Sequence, residues 1–118
     1  MDMQNFTHKS LEALEEAQSI ALKNSCMQIE QEHLAEALLE QENGLIPQLL
    51  QKMGIDPKSV LDTVEQAVKK LPSVTGPGRE PGKIYISADV DAVLVEAENQ
   101  AKRMKDEYVS VEHIMLAM

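Results

Sequence analysis

The sequence predicts an all-α protein built from two pseudo-repeats of one multi-helix unit, the second of them incomplete. Three observations carry this. Of 118 residues, 43% are hydrophobic but only 3% aromatic, with seven Met and no Trp. The core must therefore be aliphatic, rich in Ala and Met, and such residues favour helix over sheet. Apolar residues recur at intervals of three and four between short cap and stop signals. Finally, the chain resembles itself at an offset of 80 residues.

Thr7 is the N-cap expected for a first helix, in which Leu11, Leu14, Ala17 and Ala21 share a face as far as about Lys23. A short loop through Asn24 and Ser25 leads past Ile29 to a second helix carrying Leu34, Ala37, Leu38 and Leu39, with Asn43-Gly44 as its stop. A third, short helix holds Leu45, Ile46, Leu49, Leu50 and Met53 and ends at Gly54. Asp56-Pro57 supplies a cap followed by Pro at the first helical position, and Val60, Leu61, Val64, Ala67 and Val68 form the stripe of a fourth helix. Ile84 to Ile86 read as an extended lead and Ser87 as a cap. Val90, Val93, Leu94, Ala97, Ala101 and Met104 then define a fifth helix. Asp106-Glu107 turns the chain, and Ser110 caps a sixth helix from Val111 to Met118.

Sliding residues 86–118 onto 6–38 without a gap gives seven identities in 33 positions, among them Leu94 on Leu14, Ala101 on Ala21, Glu112 on Glu32 and His113 on His33. Thr7 and Ser87 match as caps, and Ile29 and Val109 as lead-ins. The shared positions are caps, small inner-face residues and helix starts, as two copies of one supersecondary unit require. The organisation is therefore one domain: repeat 1 over 6–71, a Pro/Gly linker over 72–83 and an incomplete repeat 2 over 84–118. Counterparts of residues 39–71 are missing from the second copy, so the chain is expected to be a piece of a longer polypeptide. Glu30 stands where the second copy has the capping Ser110, so the second helix is expected to begin differently from the sixth.

A net charge of −9 and a pI near 4.7 argue against nucleic acid or an anionic membrane as partner, since either requires a basic footprint. The single cysteine, Cys26, cannot close an intrachain disulfide and reads as a small buried residue. The amino terminus has no signal-peptide pattern and no segment approaches eighteen apolar residues, which points to a cytoplasmic protein.

No catalytic or metal-binding set emerges. Gly82-Lys83 resembles the end of a phosphate-binding loop, but Pro77 stands where the first glycine belongs and Ile84 where the magnesium-binding hydroxyl belongs. Glu32-His33 and Glu112-His113 lack the second histidine one turn on that a zinc helix requires; their duplication points to a structural role in a first helical turn. Glu12, Glu15 and Glu16 read as a solvated face. Met104 and Met115 are candidates to line an adaptable groove. No enzyme activity and no bound cofactor are expected of this chain.

The segments FTHKSLEALEEAQSIA, IEQEHLAEALLEQENGLIPQLLQKMGID and KIYISADVDAVLVEAENQAKRMKDEYVSVEHIMLAM together resemble the twin-repeat N-terminal domain of the Clp ATPases, on the ClpB disaggregase branch. The long Pro/Gly linker tilts the resemblance away from the ClpA and ClpC branches. The resemblance implies a tethered domain that engages unfolded or aggregated polypeptide for a cytoplasmic, hexameric AAA+ chaperone. ATP and magnesium would then belong to the parent protein, and the piece itself would be monomeric. Adaptor docking for a proteolytic ClpA/ClpC-type ATPase is the alternative. By the same resemblance, the polar substrate-engaging positions fall on Thr7, Asp106 and Glu112. Leu94, Val95 and Ile114 are the candidates for an apolar strip at the seam between the copies, and Val95 stands off the stripe of its helix.

Overall fold

The structure is a computed structural model that describes residues 4–41, 44–72 and 85–118. Six helices dominate it: α1 (His8–Lys23), α2 (Gln31–Glu40), α3 (Leu45–Lys52), α4 (Pro57–Lys69), α5 (Ala88–Arg103) and α6 (Val111–Ala117). Two strands of two residues each, β1 (Gln28–Ile29) and β2 (Tyr85–Ile86), complete it. The predicted all-α class holds. Most of the linker, residues 73–83, lies outside the described residues.

The helices begin where side-chain oxygens meet the first unpaired backbone N–H groups. Thr7 accepts from Ser10 N, Asp56 from Lys58 N and Ser87 from Val90 N, and Pro57 opens α4. Two ends differ from expectation. The second helix stops at Glu40, before Asn43-Gly44, because Gln41 leaves it with extended backbone. Gly44 serves instead as the N-cap of α3. A Cβ there would lie 2.9 Å from both the Cβ and the carbonyl oxygen of Gln41, so the close return of the chain demands glycine. Met53 and Met104 are not helical: each is the residue just after its helix, 66% and 50% exposed respectively.

The turns α1–α2 and α5–α6 are copies of each other down to backbone sign. Ser25 at φ 59° and Lys105 at φ 60° are both left-handed. In each turn the next residue's N–H reaches back five residues: Cys26 N to Ala21 O at 2.9 Å, and Asp106 N to Ala101 O at 2.8 Å. This double closure of a helix C-terminus ordinarily uses glycine at the left-handed position, as α3 does with Gly54 at φ 79°. Exchanging the exposed Lys105 for glycine removes the Cβ strain of that conformation at some cost in unfolded-state entropy. Lys105→Gly is expected to raise stability by about 0.5–1 kcal/mol, measured as a higher urea midpoint. A lower midpoint would show that Lys105 is held there by contacts stronger than the strain.

The repeats are stitched together by exchange of their lead-in segments. Phe6, ahead of α1, bridges in parallel to Val109, ahead of α6. Ile86, ahead of α5, pairs in parallel with Ile29, ahead of α2. The hydrogen bonds are reciprocal: Thr7 N donates to Val109 O at 3.0 Å and Ser87 N donates to Ile29 O at 3.1 Å. Phe6, Ile29 and Val109 are thereby drawn into one core with Ala13, Ala17, Ala21, Leu34, Leu38, Val90, Val93, Leu94, Ala97 and Ile114. Alanines on the inner faces of α1 and α5 have essentially no exposed surface, which lets the facing helices approach closely. Cys26 is buried, as expected.

Candidate functional site

Thr7 lies about a hundred residues before Asp106 and Glu112 and bonds across the Phe6–Val109 bridge, while Asp106 and Glu112 flank Val109 in sequence and bond at the start of α6. Thr7 caps α1 and anchors to Val109 through its own N–H. Its hydroxyl donates to Ser10 Oγ at 3.0 Å, and the Ser10 hydroxyl donates in turn to the Val109 carbonyl at 2.9 Å. Ser10 is fully buried and was not singled out by sequence reasoning. Its one signal is that a polar residue occupies a position where the second repeat has the apolar Val90. Glu112, in the first turn of α6, accepts from the Ser110 hydroxyl at 3.1 Å. Asp106 stands in the turn before the bridge, its side chain 45% exposed.

Asp106 is held by a buried histidine. His113 is the third residue of α6, and its Nδ1 accepts the Ser110 backbone N–H at 2.9 Å. With Nδ1 accepting, the ring proton sits on Nε2, which donates to Asp106 Oδ2 at 2.9 Å. In repeat 1, His33 Nδ1 accepts the Glu30 backbone N–H at the same 2.9 Å. The expectation of a different start for α2 is thus corrected. The histidine three residues on closes the N-terminus in both repeats, in the role Glu or Gln plays in an ordinary capping box, so Glu30 replaces Ser110 without changing the start. The outer nitrogen of His33, however, is buried without a hydrogen-bond partner. The residue matching Asp106 at the 80-residue offset is Cys26, whose thiol is directed to the carbonyls of Asn24 and Pro72. Burial holds the His33 pKa below its ordinary value, against the opposing pull of the Glu30 and Glu32 charges.

The apolar candidates separate by exposure. Leu94 and Ile114 have no exposed surface and sit in the core, so they support the surface without forming it. Val95 is 46% exposed on α5. Tyr85 and Tyr108, each immediately ahead of a bridging residue, are more than half exposed, and their aromatic character in an aromatic-poor chain was an available signal. A fully apolar cleft of about 170 Å³ lies elsewhere, lined by residues of α2, α3, α4 and α6 that include Leu39, Leu50 and Met115, and by Met118.

Residues 5–118 match the model of the Clp repeat N-terminal domain. The chain belongs to the Clp repeat N-terminal domain family. Among curated relatives, the chaperone protein ClpB of Nitratidesulfovibrio vulgaris is 48% identical over all 118 residues, and that of Bacillus anthracis is 41% identical over 117. The Clp repeat chain spans 14% of the length of each. Its fold matches the crystal structure of the Hsp104 N-terminal domain from Candida albicans with TM-score 0.83 at 23% identity, covering 97% of this chain and 73% of that one. The N-terminal domain of the ClpV1 ATPase from Escherichia coli matches with TM-score 0.85 at 21% identity, covering 98% and 68% respectively.

The family match covers the repeat domain and not an ATPase module. Among the described residues, no helix of this Clp repeat domain is long and apolar enough to cross a membrane. Among the described residues, Glu36, Glu40 and Glu65 each place one carboxylate oxygen within 4.8 Å of the others. Glu36 is buried on α2, and its pKa is pushed up to about 7 by burial, by a hydrogen bond with Glu40 and by the charges of Glu40, Glu65 and Glu16.

Proposed function

We propose that this domain is the substrate-recognition N-terminal domain of an ATP-dependent disaggregase and binds unfolded or aggregated polypeptide. The observation that supports the reading is that Thr7 bonds across the parallel bridge to Val109, the residue after the exposed Tyr108, while Glu112 and, through His113, Asp106 are held at the helix start that follows. A hydroxyl and two carboxylates at a surface with exposed apolar side chains suit an extended chain, whose free N–H groups and cationic side chains need acceptors. The family relationship to ClpB supports the same reading. The domain works without a cofactor of its own; ATP and magnesium serve the ATPase modules of a hexameric, cytoplasmic parent.

Binding by one shallow surface recovers little of the entropy lost by a flexible ligand, so the isolated domain is expected to bind with a Kd of roughly tens of micromolar or weaker. Val95→Glu is expected to weaken binding of a labelled, permanently unfolded protein while shifting stability by less than about 1 kcal/mol, as at other exposed positions. Fluorescence anisotropy with both proteins tests this. Equal affinity for wild type and variant would remove Val95 from the surface.

A further inference from the structure

Both Clp repeats place a buried histidine at the third position of a helix, and both use its Nδ1 to close the helix start. Only in the second repeat does the opposite nitrogen hold anything. His113 Nε2 grips one oxygen of a carboxylate that is otherwise half in solvent, whereas His33 Nε2 has no hydrogen-bond partner and the position matching Asp106 is the buried Cys26. Were this histidine needed only for the helix cap, the two repeats would not differ at its far side.

We propose that His113 is a positioning residue for polypeptide recognition: its Nε2–H fixes the Asp106 carboxylate so that the second oxygen faces the bound chain. This rests on the reading of Asp106 as a substrate-engaging residue given above. An unheld aspartate in a turn samples several rotamers and must be ordered when the ligand arrives, whereas a held one has lost that freedom already. The buried end of the bond makes the arrangement rigid, since His113 is 1% exposed and is fixed at Nδ1 by the Ser110 N–H. Because the ring is anchored on both sides, it cannot turn away from Asp106 without opening the first turn of α6.

The test uses the 118-residue chain and, as probe, fluorescein-labelled, reduced and carboxymethylated α-lactalbumin, with affinity read by anisotropy. Four variants are compared: Asp106→Ala, His113→Gln, the two combined, and His33→Gln. Glutamine at the third helical position still accepts the cap N–H, so both histidine variants keep the helix start, and circular dichroism checks that they do. Asp106→Ala and His113→Gln are each expected to raise Kd by about fivefold, the order expected for one lost hydrogen bond. The combination should bind no worse than Asp106→Ala alone, because His113 acts through Asp106. His33→Gln should bind as the wild type does. If His113→Gln weakens binding further in the Asp106→Ala background, or if His33→Gln costs as much as His113→Gln, the effect comes from the fold and the proposal is overturned. If Asp106→Ala weakens binding and His113→Gln does not, positioning by His113 falls while the site stands. If Asp106→Ala binds as the wild type does, the reading of the site itself falls.

Discussion

Leu94→Ala is expected to destabilise the domain by about 3–5 kcal/mol, the upper part of the range for a buried leucine. Leu94 has no exposed surface and belongs to the core that joins the two repeats. Its truncation removes the transfer free energy of the lost methyl and methine groups. It also leaves a cavity that the neighbouring helices cannot fill, because their close approach is already set by alanines such as Ala97 and Ala101, which have no side chain to extend. Equilibrium unfolding in urea, followed by circular dichroism at two protein concentrations, measures the loss. A cost below about 1 kcal/mol would mean that Leu94 lies at a surface after all. The neighbouring Val95 is the internal comparison, since one residue along the same helix separates a core position from a surface one.

Glu36 carries the second large effect, and its sign is opposite to that of most carboxylates. Its pKa rises from 4.5 in the unfolded chain to about 7 in the fold. Between these values the native state holds a proton that the unfolded state has released, so stability falls as pH rises through this window and levels off above it. The loss is at most about 3–4 kcal/mol at pH 8, from a difference in pKa of roughly 2.5 and about 1.4 kcal/mol for each. Glu36→Gln keeps the shape of the protonated acid without its charge. In buffer free of divalent cations, the variant is expected to exceed the wild type in stability by about 2–3 kcal/mol at pH 8, and by little at pH 4.5. Urea midpoints at the two values decide it. A constant difference at both would show that Glu36 keeps an ordinary pKa. The matching residue of the second repeat is Leu116, so an uncharged side chain already occupies the equivalent place on α6.

What the sequence made legible follows from how local each signal is. Thr7, Asp56, Ser87 and Ser110 act on N–H groups two or three residues away, and all four stand at the helix starts predicted for them. The left-handed Ser25 and Lys105 left no trace, because nothing in a polar side chain announces that the backbone will reverse its φ there. The cap at Glu30 was hidden for a related reason: His33 closes the helix start on the Glu30 backbone while the Glu30 side chain takes the capping role that Ser110 has in the second repeat. Of the site, the exposure of Val95 follows from its place off the stripe, and the burial of Leu94 from its place on it. The grip of His113 on Asp106 and the burial of Ser10 depend on the other repeat's lead-in arriving beside them, and no window of one repeat contains that information.

The exchange of lead-ins also sets an order of events for a chain emerging from a ribosome. The Ser10 hydroxyl and the carbonyl it binds are 99 residues apart in sequence, and Phe6 can bridge only once Val109 exists. During synthesis the first helices therefore form with Phe6 and one edge of their core still open to solvent. Closing so long a loop is among the slower steps available to a small helical protein. A nascent first repeat thus spends its early life as a partly folded chain with apolar surface showing.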